Sequence, residues 1–170
     1  MIKLAHPRIF VVLALVTGIA LGTVLPTAFG KTEVEPTAVR SALAQSSNIQ
    51  GAPSRTMVLS RVLVEPGAHL ATHHHLGTQI ARIQSGVLRY TVRRGSVVVR
   101  RGESDQSPAV VRTIKAGQTG DIRKGEWIVE QPSDVHEATT GSSQPVVIYI
   151  ATLLKDGAPP STPVTLPPAP

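Results

Sequence analysis

The 170-residue chain contains no cysteine. That absence excludes disulfides, thiolate metal sites, iron-sulfur clusters and a cysteine nucleophile together, so any metal must be held through nitrogen and oxygen. Aromatic residues are almost as scarce, with two Phe, two Tyr and one Trp. Both phenylalanines, Phe10 and Phe29, fall in the first thirty residues, which leaves Tyr90, Tyr149 and Trp127 for everything else. A stacking platform for sugars or bases cannot be assembled from so few rings. Acidic residues are outnumbered, 11 Asp plus Glu against 17 Lys plus Arg, for a formal charge of +6, and twelve of the cations are arginine. Basicity of this size suits an anionic ligand or surface without requiring one. No phosphate loop and no serine-histidine-aspartate order is present.

Long apolar runs are limited to the N-terminus. Residues 1–30 read as an export signal: Lys3 and Arg8 make a positive start, residues 9–25 are uncharged and mostly apolar, and Pro26 precedes the small-residue pattern Ala28-Phe29-Gly30. The run falls just short of the ~20 residues of a comfortable spanning helix. Two outcomes stay open: cleavage after Gly30, or retention as an N-terminal membrane anchor. Either places the remainder outside the cytoplasm, secreted, periplasmic or tethered. Loss of Lys3 and Arg8 leaves 15 cations against 11 anions, a net +4. An exported chain without disulfides must draw its stability from its core.

Residues 31–54 read as a polar linker or arm, with a short helix predicted over 37–44 after Pro36. The end of the chain, residues 155–170, includes "DGAPPSTPVTLPPAP" with six prolines and is expected to be an extended, disordered tail. Between them, residues 55–154 alternate short β-branched and aliphatic runs with Gly, Pro, Ser and Asp. Strands are expected at 56–64, 71–75, 79–84, 87–93, 96–101, 110–114, 120–123, 127–130, 135–139 and 146–154. The fold class is therefore all-β, an antiparallel sandwich or small barrel. "RRGSVVVRR", residues 93–101, reads as a hairpin turning at Gly95-Ser96, its four arginines guarding an exposed edge. No aromatic is interleaved with them, so nucleic acid is not expected as a partner. The last strand, 146–154, is apolar on both faces, as expected where a strand is covered on both sides, with a second copy of the chain as one cover.

What is present in abundance is histidine at one place: "ATHHHLGTQI", residues 71–80. Side chains alternate along a strand, so His73 and His75 share a face and His74 takes the other. Two rises of ~3.3 Å separate the pair by about 6.6 Å, from which two imidazoles can converge on one ion. Gln79 opens the next strand, where its carbonyl oxygen can reach the same point. Of the other histidines, His6 lies in the leader, His69 has no readable direction, and His136 in "QPSDVHEATT" stands on a new strand as the best distant partner.

Residues 67–86 read G-x5-H-x-H-x3-Q-x6-G, and residues 125–136 read "GEWIVEQPSDVH". The two resemble the paired signatures of the cupin superfamily, in its small single-domain form. Departures are Gln79 where a glutamate is usual, Pro132 one position late, Asp134 where glycine is common, and Thr140 where an asparagine is often found. The resemblance covers residues 55–154. It implies a double-stranded β-helix, or jelly-roll barrel, with His73, His75, Gln79 and His136 converging at its mouth on a divalent metal. Imidazole and oxygen donors suit Fe, Mn, Zn, Ni or Cu and do not choose among them.

A glutamine in place of glutamate leaves the ion its full +2, which predicts weaker metal binding and stronger attraction for a small anionic, oxygen-rich ligand. Among acids and bases, Glu130, Asp134 and Glu137 lie near the second signature; Glu137 is expected to face solvent, while Tyr90 and Trp127 read as packing residues. Cupins include dioxygenases, isomerases, decarboxylases and lyases beside members that only bind a ligand. The expectation is thus a metal-binding protein, with catalysis, ligand binding and a structural role left open.

Overall fold

The computed structural model describes residues 37–102 and 108–165. The export segment, the start of the arm and the last five residues lie outside them. Twelve strands follow in chain order: β1 (Ala38–Ser46), β2 (Arg55–Val64), β3 (His69–His74), β4 (Gly77–Ser85), β5 (Val87–Arg94), β6 (Ser96–Arg101), β7 (Ala109–Lys115), β8 (Thr119–Arg123), β9 (Glu126–Glu130), β10 (Val135–Thr140), β11 (Val146–Lys155) and β12 (Thr162–Pro163). No helix is present among the described residues.

The strands form two antiparallel sheets, one ordered β1-β2-β11-β4-β9-β6-β7 and the other β12-β3-β10-β5-β8. Chain neighbours repeatedly belong to opposite sheets, and this crossing back and forth is the jelly-roll pattern. Period-2 alternation is why these runs take this form. In β11 every second residue, among them Val146, Ile148 and Ile150, is buried against the opposing sheet, and Leu88 and Val92 of β5 meet them from the other side. Each such aliphatic side chain contributes about 1.5–3 kcal/mol on leaving water. All ten expected strands are present.

Three segments differ from expectation. The predicted helix over 37–44 is strand β1, paired antiparallel with β2 from Ala38↔Val64 to Ser46↔Met57. Ala, Arg, Leu and Gln favour helix weakly, and the open edge of β2 supplies a full ladder of backbone partners instead. The proline-rich tail, expected to be disordered, forms β12, where Thr162 and Pro163 pair with His74 and His73 and Val164 N donates to Thr72 O. An edge strand tolerates proline because its missing N–H faces away from the ladder.

The third correction concerns residues 93–101. β5 and β6 are not a hairpin: β5 pairs with β10 and β8, while β6 pairs with β7 and β9 in the other sheet. Gly95 is the corner between the sheets, with φ +88, and an added Cβ would collide with the Asp134 carboxylate. The arginines are bound locally rather than guarding an edge. Arg93 pairs with Glu137, Arg94 donates to Ser133 O, Arg100 lies 5.4 Å from the Trp127 ring centre, and Arg101 reaches Glu126.

β11 lies between β2 and β4, and only its inward face is buried. Its outer face carries Tyr149, exposed together with Met57, Leu59 and Ile80 of the flanking strands.

Candidate metal centre

The histidines meet because β3 and β10 are neighbours. His73 lies directly across from His136 in the ladder, on the inward face, and His75 follows two residues later, just past the end of β3. Ring centres are 4.4 Å apart for His73 and His136, 4.9 Å for His73 and His75, and 5.1 Å for His75 and His136. One ligand nitrogen from each of the three lies within 4.8 Å of the others. His74 does not face the cavity that these rings line, and His69 is exposed near the start of β3. His136 and His75 are almost completely buried, at 2% and 1% exposure.

The hydrogen bonds decide which nitrogens are available. His73 Nδ1 donates to Ala71 O at 2.7 Å, and His75 Nδ1 donates to Pro160 O at 2.7 Å. In both rings Nδ1 is committed to a backbone carbonyl, which leaves Nε2 as the nitrogen available to a metal, the arrangement that orients imidazole ligands. His75 Nε2 is 3.3 Å from His136 Nε2. Two ligands bound tetrahedrally at ~2.0–2.1 Å stand about 3.3–3.4 Å apart, so the donor spacing fits a metal ion. Burial pulls the His136 imidazole down to about 4, with the Glu130 carboxylate partly opposing and His73 and His75 reinforcing. Burial also lowers His75, again against Glu130. Both rings are uncharged at neutral pH, as metal ligation requires. The tail therefore has a role in the site, since its Pro160 carbonyl fixes the His75 ring.

Gln79 is brought to the same place, 3% exposed, but presents the other end of its amide. Its Nε2 lies 2.9 Å from His75 Nε2 and donates to Glu130 Oε2, while its Oε1 is buried without a partner. The expected oxygen donor thus faces away from the cluster. The reason is Glu130, which stands opposite Gln79 in the β4–β9 ladder, 3% exposed and inward-facing. An amide oxygen turned toward that carboxylate would set acceptor against acceptor.

Glu130 touches Gln79, Tyr90, His75 and His136. Its Oε1 accepts from Tyr90 OH at 2.7 Å and lies 3.2 Å from His136 Nε2, and its Oε2 lies 3.6 Å from His75 Nε2. Burial would raise its carboxyl, but His136, His75, the Gln79 amide and the Tyr90 hydroxyl together hold it below the usual range. Tyr90, expected to be simple packing, is also part of the site: its ring stacks on His136 with centres 4.9 Å apart. Burial and the adjoining carboxylate push the Tyr90 hydroxyl well up, so it stays protonated and donates.

The other acids serve the frame. Asp134 Oδ2 accepts from Gln131 N at 2.8 Å, and Glu137 accepts from Thr72 Oγ1 at 2.7 Å and pairs with Arg93. Thr140, standing where asparagine is common, accepts from Gly67 N at 3.1 Å.

The cluster opens into a cavity of about 420 Å³ with aliphatic walls that include Ile83, Leu88, Ile122, Ile128 and Ile148. Sequence reasoning did not identify Arg40 of β1, which lines this cavity. It is paired with Val62 and shares that residue's inward face. Burial lowers its pKa, with Glu130 opposing. The parity of Arg40 within a strand would have pointed inward, but the segment read as helix.

No family model matches the chain, and no curated protein matches it. Among solved structures it is similar to a cupin-like protein from Thermotoga maritima, at 18% identity and a TM-score of 0.48 over 75% of each chain. A cupin 2 domain-containing protein from Halorhodospira halophila is 14% identical, with a TM-score of 0.49 over 80% of this chain and 76% of that one. The polyketide cyclase RemF from Streptomyces resistomycificus is 18% identical, with a TM-score of 0.49 over 77% and 73%. The fold class rests on the two sheets themselves.

Proposed function

We propose that the protein is an exported, metal-binding jelly-roll protein in which His73, His75 and His136 hold a divalent ion at the inner end of a cavity that receives a small anionic, oxygen-rich ligand. The observation that carries this reading is the convergence of the three imidazoles, two of them with Nδ1 committed to backbone carbonyls. A bound metal of the Fe, Mn, Zn, Ni or Cu group supplies Lewis acidity toward a carbonyl, water or dioxygen. The chain's own groups do the rest. Arg40 offers a guanidinium, inside a largely apolar space, to a carboxylate or enolate oxygen that also approaches the histidines. The aliphatic walls lower the local dielectric and strengthen both attractions. Tyr90 keeps a proton beside Glu130.

A metalloenzyme of dioxygenase, isomerase or lyase type is one form of this function, and a non-catalytic ligand-binding module is the other. The second is favoured by one observation: Asp134 and Glu137 are both engaged in the frame, which leaves Glu130 with Tyr90 as the only acid-base pair at the cavity among the described residues. Export through residues 1–30, with or without cleavage, belongs to the same proposal, as does a homodimer formed through the outer face of β11 and its neighbours.

The test is elemental analysis of residues 31–170, untagged and purified from the native compartment, beside a His73→Ala/His136→Ala control. Near one metal per chain in the parent and none in the control is the expected result. An oxygen-uptake and turnover screen with hydroxy and oxo acids then separates enzyme from binder. A folded parent that neither carries nor rebinds a metal would end the metal reading.

A further inference from the structure

We propose that Glu130 is the carboxylate ligand of the metal centre, supplying from β9 the charge that Gln79 does not supply from β4, and that Gln79 acts as its positioning residue. The proposal rests on the metal reading above and adds to it a ligand and a changed charge.

Four observations carry it. The first is register: Gln79 and Glu130 are direct cross-strand partners on the inward face, so a carboxylate moved from one position to the other stays at the same height in the barrel. The second is distance. Glu130 Oε1 and Oε2 lie 3.2 and 3.6 Å from the ring nitrogens of His136 and His75, which are themselves 3.3 Å apart. These three separations bracket the ~3.3–3.4 Å expected between ligands of one tetrahedral ion, so the carboxylate stands at the spacing a ligand beside these two rings would take.

The third is the orientation of the amide. Gln79 turns its nitrogen to Glu130 and leaves its oxygen buried without a partner, so in this arrangement it has no lone pair to give an ion. A buried acceptor is left unsatisfied in order to hold the carboxylate, as expected of a group whose work is to aim a ligand. Tyr90 holds the other oxygen from the opposite sheet. The fourth is the lack of any cation of the chain's own in contact: among the described residues the ion-pair contacts of Glu130 are with His75 and His136 only. A carboxylate at 3% exposure without an arginine or lysine on its oxygens has room for a positive partner, and a divalent ion beside those same rings would supply it.

The donor set becomes three imidazoles and one carboxylate, and the ion keeps a net +1 instead of the +2 expected with a neutral glutamine. The site is then a charge-equivalent rearrangement of one with glutamate at position 79, with one carboxylate shifted across a single ladder.

The test measures Co²⁺ and Zn²⁺ affinity by chelator competition, with the visible spectrum of the cobalt-loaded protein as a second readout. Glu130→Gln is expected to weaken binding by about 100-fold or more, and Gln79→Ala by about 10-fold, the range seen when groups that orient a ligand are removed. The exchange variant Gln79→Glu/Glu130→Gln is expected to return to within about 10-fold of the parent, which loss of mere packing would not allow. Parent-like affinity and an unchanged cobalt spectrum in folded Glu130→Gln would overturn the proposal. Should that variant fail to fold, infrared difference spectra of the parent on adding Zn²⁺ decide, since a ligating carboxylate shifts its stretching bands and a spectator does not. Failure of the underlying metal reading is distinct: the parent then binds neither ion, or His73→Ala/His136→Ala binds both as the parent does.

Discussion

Strand β9 carries a glutamate at each end, Glu126 and Glu130, both inward-facing and both nearly inaccessible, at 1% and 3% exposure. They are about 13 Å apart. Glu126 is surrounded by the chain's own cations: Arg101 and Arg112 each donate to it at 2.8 Å, and Arg123 N adds a third bond at 2.8 Å. Burial would raise the Glu126 carboxyl, but those donors outweigh it and hold it below the usual range. Glu130 meets an amide, a phenol and two imidazoles, with no arginine or lysine against its oxygens among the described residues. Arg40 acts on it only from a distance, within the same cavity. The same residue type on the same face of the same strand is therefore paired with arginines at one end and held by an amide, a phenol and ring nitrogens at the other. A buried charge already paired with fixed charges holds a frame together, whereas one surrounded by neutral donors and ring nitrogens marks a site.

The largest expected contrast is in metal binding. His73→Ala or His75→Ala should abolish Zn²⁺ binding in isothermal titration, while Glu126→Gln leaves it as in the parent. Equal losses at both ends would mean that the two carboxylates are not functionally distinct. Next in size is stability without metal. Glu126→Gln strips two arginines of their partner and should cost about 3 kcal/mol in urea unfolding. Glu130→Gln removes the acceptor that the Tyr90 hydroxyl and the Gln79 amide share and should cost less, about 1–2 kcal/mol.

Acid separates the ends further. Below pH 6.5 the unfolded chain protonates His136 while the barrel resists until about 4, so metal-free stability is full above 6.5 and falls by about 3 kcal/mol as pH drops toward 4. Glu126 behaves in the same direction but later: its folded carboxyl is depressed, so its contribution is present above the ordinary carboxylate pKa and fades only as pH falls below it. Denaturation midpoints measured from pH 7 to 3.5 should show the earlier loss shrink in His136→Asn, leaving the part due to the likewise lowered His75, and persist in Glu126→Gln. The smallest effect is expected at His74, which does not line the cavity. His74→Ala should change metal affinity by less than about 3-fold and stability by about 0.5 kcal/mol or less.

How far the site could be read in advance differs residue by residue. His73, His75 and His136 were legible because strand parity separates His74 from its neighbours and because the spacing between the two signatures is itself a constraint. Gln79 was legible as a position but not as an orientation, since its amide is turned by a carboxylate 51 residues further along the chain. Glu130 was recognisable as a nearby acid without a role. A signal for it did exist: in Glu126-Trp127-Ile128-Val129-Glu130, strand parity puts a glutamate at both ends of the face that carries Ile128, and a charge on a core face needs a reason. Tyr90 had the same inward parity, but only the stacking on His136 and the bond to Glu130 distinguish it from packing.

The sequence by itself determined what is local. Period-2 alternation fixes ten of the strands and which residues point inward, and the absence of cysteine fixes the chemistry of any metal site to nitrogen and oxygen. Tertiary structure decided everything that depends on which strand lies beside which. It turned the 37–44 segment into a strand that delivers Arg40 to the cavity, tied the proline-rich tail to His75, and sent the chain around Gly95 into the other sheet. It also set Gln79 against Glu130. Side-chain direction along a strand is a property of neighbouring residues, whereas ladder pairing and the electrostatics across it arise between residues far apart in sequence, and no local pattern encodes them.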